Sequence, residues 1–207
     1  TRDDRLFIFG YGGDLSRTLY GYWTTRAGFP ASSADFTSTS VTDAAVIISV
    51  ETVYDGGDIV HVLTNSTDGV LRDRPFNITT HTFKTTKVID TGLITANTNV
   101  GTSGVSAGMD AAGRLHVAYW SANNHITYRA YTYDPATDAL ALVSGPTQLD
   151  TTGQSNHPSL AISPLDGSVT VAWISQATNP AAILARSLAG NTWGAIETVS
   201  AAPVWTS

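Results

Sequence analysis

The chain repeats. Four short apolar runs, Leu6-Phe7-Ile8-Phe9, Val60-His61-Val62-Leu63, Leu115-His116-Val117-Ala118 and Val169-Thr170-Val171-Ala172, begin at steps of 54, 55 and 54 residues. A constant step of that length is too long for a helical solenoid repeat and fits a propeller blade with four strands per repeat. The flanks recur as well. Every run but the first follows a glycine turn, at Asp55-Gly56-Gly57-Asp58, Ala112-Gly113 and Asp166-Gly167. Such turns are hairpin signals. A strand precedes each turn, over 45–50, 105–109 and 159–163. A third strand follows each run, over 19–23, 70–74, 126–133 and 183–188, and a weaker fourth closes each unit, over 36–41, 87–91, within 140–149 and over 196–200. The second strand of each unit is apolar at most positions on both sides, as for strands covered on two faces. No helical stripe with apolar residues at i, i+3 and i+4 persists for three turns.

The fold expected is therefore all-β: a β-propeller of four repeats of about 54 residues, each a four-stranded antiparallel blade. The whole of 1–207 reads as one domain, with blades near 1–41 plus 203–207, 42–100, 101–154 and 155–202. Nine residues separate Leu160 from Val169, and nine would separate Val204 from Leu6 if the end were joined to the beginning. The segment Pro203-Val204-Trp205-Thr206-Ser207 is thus phased to lie as the innermost strand beside Leu6 to Phe9. Closing a ring removes sheet edges. A cut from a longer propeller would leave the same phase, and so would two chains completing a larger ring.

Composition narrows the partners. Of 207 residues, 42% are hydrophobic and 14% charged, which marks a globular chain. The net charge is -6, and the only lysines are Lys84 and Lys87. Nucleic acid is not an expected partner, since phosphate neutralisation needs a basic stripe. The sequence has no run of about 18 apolar residues, so no helical membrane insertion is expected. There is no cysteine, which excludes thiolate metal sites and cysteine nucleophiles and suits an extracellular or cell-surface setting. Asn65-Ser66-Thr67 and Asn77-Ile78-Thr79 match the glycosylation sequon.

The stretch Asp166-Gly167-Ser168-Val169-Thr170-Val171-Ala172-Trp173, with Ile183 to Ser187 and Gly190-Asn191-Thr192-Trp193-Gly194, resembles the blades of sialidase-like, Asp-box β-propellers. Gly113 to Trp120 with Asn124 to Arg129 is similar to them too. The Asp-box of that family runs Ser-x-Asp-x-Gly-x-Thr-Trp; Ser187 to Trp193 is one residue short and lacks the Asp. The resemblance implies a glycan-related role. It does not carry over the family's catalytic residues. No arginine lies in an Arg-Ile-Pro context, and the only glutamates are Glu51 and Glu197. Arg129 and Arg186 fall at the same place in two repeats, which marks a structural position.

Other chemistry is sparse. His61 and His116 also occupy one repeat position and are expected to hydrogen-bond between blades; neither sits in a metal-binding pattern. No cofactor is expected. Calcium, held through turn carbonyls and aspartates, stays open, although no Asp-x-Asp-x-Asp-Gly loop is present. The candidate site lies in the loops that follow the second strands. These carry Tyr11 and Asp14, Asn65 and Asp68, Trp120 and Asn123, and Trp173 and Gln176. An aromatic beside polar side chains suits sugars, whose apolar faces stack on rings while amides and carboxylates take the hydroxyls. Packing between blades is the competing role, above all for Trp120 and Trp173. The function expected is a non-catalytic extracellular module that binds glycan or protein through this loop face, as a monomer or a homo-oligomer that completes the ring. The alternatives are a divergent or fragmentary sialidase-like glycoside hydrolase, or a structural surface module.

Overall fold

The computed structural model describes residues 5–13, 16–25, 30–93, 104–121, 124–177 and 181–200. Among them the chain is all-β, in four curled antiparallel sheets taken in sequence order, with one 3-10 turn at Ser33–Asp35. The first sheet is β1 (Phe7–Tyr11), β2 (Thr18–Thr24) and β3 (Phe36–Thr42), paired in that order. The second holds β4 (Ile47–Tyr54), β5 (Ile59–Ser66), β6 (Leu71–Asp73), β7 (Phe76–Asn77), β8 (Thr82–Phe83) and β9 (Lys87–Asp90). In it β4 pairs β5, and β5 leads on one side to β6 and β9 and on the other to β7 and β8. The third is the meander β10 (Val105–Met109), β11 (Arg114–Trp120), β12 (Ile126–Asp134) and β13 (Ala139–Gln148). The fourth runs β14 (Ser155–Ile162), β15 (Val169–Ser175), β16 (Ala182–Ala189) and β17 (Thr192–Trp193), with β18 (Glu197–Ser200) also on β16. The pairing expected of 203–207 with the first apolar run lies outside the described residues.

The sheets stack face against face, each on the next. Leu19 and Trp23 of the first meet Ile47, Val60, Val62 and Phe76 of the second. Val53, Leu63 and Leu71 on the far side of the second meet Val105, Leu115, Val117 and Tyr119 of the third. Ala118, Ile126 and Tyr128 on the third meet Val169, Val171, Trp173 and Leu188 of the fourth. Strand alternation explains the sharing: successive residues of β5 and β11 point to opposite faces, so one strand feeds two cores. All eight residues of β5 are buried, as two-sided coverage requires.

One position of the repeat ties the sheets together. Arg74, Arg129 and Arg186 stand opposite Val62, Val117 and Val171 on the middle strands. Each reaches back to the preceding sheet, Arg74 to Asp43 beyond β3 at 2.5 Å, Arg129 to Asp90 of β9 at 3.0 Å, and Arg186 to the Leu149 carbonyl at 3.4 Å. The repeat histidines behave differently from expectation. They bond inside their own sheets rather than between sheets: His61 pairs with Asp73 at 2.7 Å and His116 with Tyr128 at 2.6 Å. In both repeats the partner lies 12 residues on, on the neighbouring strand, where the extended backbone brings it diagonally beside the ring.

Candidate functional site

A cleft of about 390 Å³ opens between the third and fourth sheets, at the end that carries the glycine turns. Three segments form it. The start of β11 contributes Arg114 and His116, with Tyr128 and Ala130 beside them on β12. Ser144 and Thr147 of β13 form the second wall. The fourth sheet supplies Val169, Leu188, Asn191 and Trp193. Trp193 is placed by the β16–β17 hairpin, which turns at Gly190 and sets Trp193 opposite Leu188. Its ring meets Tyr128 edge to face at 4.9 Å.

The β13 wall depends on one glycine. Gly145 has φ +96°, and a Cβ there would lie 2.5 Å from the Tyr128 carbonyl oxygen. Only a residue without a side chain allows that approach. The strand register shifts at this point, between the Tyr128 and Ala130 pairings, which separates Ser144 from Thr147 and aims both at the cleft.

Behind the cleft a charged network fixes the donors. Asp110 closes the tight turn before β11: its carboxylate accepts from the Ala112 amide at 2.9 Å and the Arg114 amide at 2.8 Å. Its other oxygen holds Arg114 Nε at 2.6 Å and His116 Nε2 at 3.1 Å. Burial alone would raise this carboxyl, but the Arg114 amide, the His116 ring and the Arg114 guanidinium together hold it down at about 2. Burial lowers His116, so the imidazole stays neutral at pH 7. An ionised carboxylate only accepts, so Nε2 carries the imidazole proton and Nδ1 accepts from the Tyr128 hydroxyl. Burial pushes that phenol up to about 12. His116 and Tyr128 are therefore committed to each other and to Asp110, while Arg114, with its side chain 38% exposed, presents the rest of its guanidinium.

The residues expected from the loops lie elsewhere. Tyr11 ends β1 and donates to the Ile48 carbonyl at 3.0 Å. Asn65, next to last in β5, is 6% exposed, and its Oδ1 has no hydrogen-bond partner. Asp68 accepts from Arg72 and from the Val70 amide. Trp120 packs half-buried on the core between the third and fourth sheets, and Trp173 lies within that core at 1% exposure; neither indole N–H has a partner. Gln176 is exposed beyond β15. Asp14 and Asn123 lie outside the described residues. Trp120 and Trp173 thus share one junction between sheets, Tyr11 and Asp68 lie on the first two sheets, and the structure does not bring the set to one point. The cleft sits at the opposite end of the strands. Its signal in the sequence was Trp193, in the stretch Gly190 to Gly194. No group of three or more metal-ligating side chains occurs among the described residues.

No protein-family model matches the chain, and no curated protein matches it. Solved structures do. The NanB sialidase from Streptococcus pneumoniae superposes with a TM-score of 0.57 at 13% identity, covering 82% of this chain and 25% of that one. A PL25 ulvan lyase, solved with -[GlcA(1-4)Rha3S]-, gives 0.63 at 11% identity, over 97% of this chain and 56% of that one. The Aleuria aurantia lectin, solved with Fucalpha1-6GlcNAc, gives 0.50 at 14%, over 93% and 56%. The chain therefore spans a quarter to just over half of these neighbours. At such identities the likeness is one of fold, and it supports a sialidase-like fold, the one the resemblance of the stretches from Asp166 to Gly194 implied. The neighbours are carbohydrate-active or carbohydrate-binding proteins.

Proposed function

We propose that this chain is a four-bladed propeller module that binds glycan, outside the cell or at its surface, through the cleft between its third and fourth sheets. One observation carries the reading: an indole, a guanidinium, two hydroxyls and a carboxamide (Trp193, Arg114, Ser144, Thr147 and Asn191) converge on one cleft. Sugar recognition needs that combination, an aromatic surface for the C–H faces and donors and acceptors for the hydroxyls. The stack of four sheets in sequence order, with β5 and β11 each shared between two cores, supports the blade reading. The fold neighbours, a sialidase, a lyase and a lectin, add weight on the side of glycans.

Binding is favoured over hydrolysis. Glycosidases of the usual kind place two carboxyl groups across the scissile bond. No Asp or Glu lines the cleft among the described residues, and Asp110 behind it is occupied by Arg114 and His116. The test is a glycan array followed by calorimetry on the best ligand. Trp193→Ala should weaken binding about tenfold or more, and Trp193→Phe should recover part of it. Absence of binding to every glycan, or a Trp193→Ala protein that binds as well as the original, would overturn the reading.

A further inference from the structure

We infer that the cleft selects an anionic sugar, whose carboxylate or sulfate group is taken by Arg186 with Arg114. The inference rests on the glycan reading of the same cleft and adds the ligand's charge.

The repeat itself shows why Arg186 is unusual. Arg74, Arg129 and Arg186 occupy one position in three successive sheets. In the first two cases the preceding sheet answers with a carboxylate: Asp43 for Arg74 and Asp90 for Arg129. The corresponding aspartate before the fourth sheet is Asp150. It does not reach Arg186: its Oδ1 takes His125 Nδ1 and the Ile126 amide, both at 3.1 Å, and its buried Oδ2 has no hydrogen-bond partner among the described residues. Arg186 is left with two backbone carbonyls, Gly194 at 2.7 Å and Leu149 at 3.4 Å, and with no acidic partner among the described residues. Carbonyl acceptors carry no charge to neutralise a guanidinium, and its planar fork suits an oxyanion.

Its location joins it to the cleft. Arg186 stands over the Trp193 ring, 6.0 Å from the centroid. It shares with Leu188, a lining residue, the face of β16 turned to the third sheet. Arg114 is the second cation. Three other acidic groups lie near these strands, and none faces Arg186. Asp110 is spent on Arg114 and His116. Asp166 is held within its own turn by Ser168. Glu197 pairs opposite Ala185 and so lies on the other face of β16.

The experiment compares three probes on the intact chain at low and raised salt. They are oligogalacturonates for carboxylate, carrageenan oligosaccharides for sulfate, and neutral galacto-oligosaccharides. One or both anionic series should bind about tenfold tighter than the neutral one, and the advantage should shrink with salt as screening predicts. Arg186→Gln should abolish that advantage, measured on the folded fraction, and Arg186→Lys should restore part of it. Equal binding of neutral and anionic probes, or an anionic preference untouched by Arg186→Gln, sinks the inference and leaves the glycan reading standing. Absence of binding to all three series and to the wider array removes both.

Discussion

At the residue scale the cleft depends on groups whose charge is set by their surroundings, hydrogen bonds outweighing burial at Asp110 and burial prevailing at His116. Asp110 is the clearest case, because its carboxyl sits near 2 in the folded chain against about 4 in an unfolded one. A depressed carboxyl contributes stability above the unfolded value, and that stability is lost as pH falls from about 4 toward 2. His116 works in a higher window. Its ring is lowered by burial, so the unfolded chain takes up a proton first as pH falls through about 6.5, and stability declines below that point. Urea denaturation at a series of pH values should show both limbs. Asp110→Asn should flatten the lower one by about 1 kcal/mol, less than the full shift implies because Arg114 is well exposed and screened. An acid limb identical in Asp110→Asn and the original chain would show that the carboxylate contributes nothing there.

At the scale of elements, the strands were legible and the walls of the cleft were not. Apolar runs and the glycine turns beside them placed the third sheet's first strand, Val105–Met109, where the structure has it. The same signals placed the second strands β5, β11 and β15, and the repeat step alone placed β1, an edge strand of the first sheet among the described residues. They carry because hairpins are local: the turn residue and the apolar run beside it are both read within ten residues. The short pairs Phe76–Asn77, Thr82–Phe83 and Thr192–Trp193 were invisible, since two residues show no period. The loop aromatics looked functional because sequence alone cannot say which face of a strand a Trp takes; Trp173 turns into a core, and Trp193 turns to the cleft. The wall around Gly145 hangs on a register shift in β13 that no composition signal marks. Gly145→Ala tests that wall. The new methyl meets a backbone oxygen at 2.5 Å and the residue is held at φ +96°, so stability should fall by about 1–3 kcal/mol. The displaced Ser144 and Thr147 should also weaken glycan binding, measured by calorimetry on the folded fraction. An unchanged urea midpoint would mean that β13 re-forms without the shift.

At the scale of the whole molecule, three separate cores join four sheets in a row, and each core belongs to one junction. Stability in such an arrangement is built from neighbour terms, as in repeat arrays, unless the sheets are locked into one unit. Arg74 and Arg129 bridge the first two junctions by ion pairs, whereas among the described residues the third is crossed by hydrogen bonds alone, from Arg186 to the Leu149 carbonyl, from the Leu160 amide to Ser106 and from the Ser155 amide to the Asn124 carbonyl. The third junction should therefore depend most on its apolar core. Trp173 is its largest fully buried side chain, and Trp173→Ala should cost about 3–5 kcal/mol at that junction. Hydrogen exchange gives the readout by strand. Amides of β14, β15 and β16 should lose protection first and most, while those of β2 and β5, which share the core around Phe76, should keep theirs. Equal loss across all four sheets would show instead that the sheets unfold as one cooperative body, with the junctions closed into a ring.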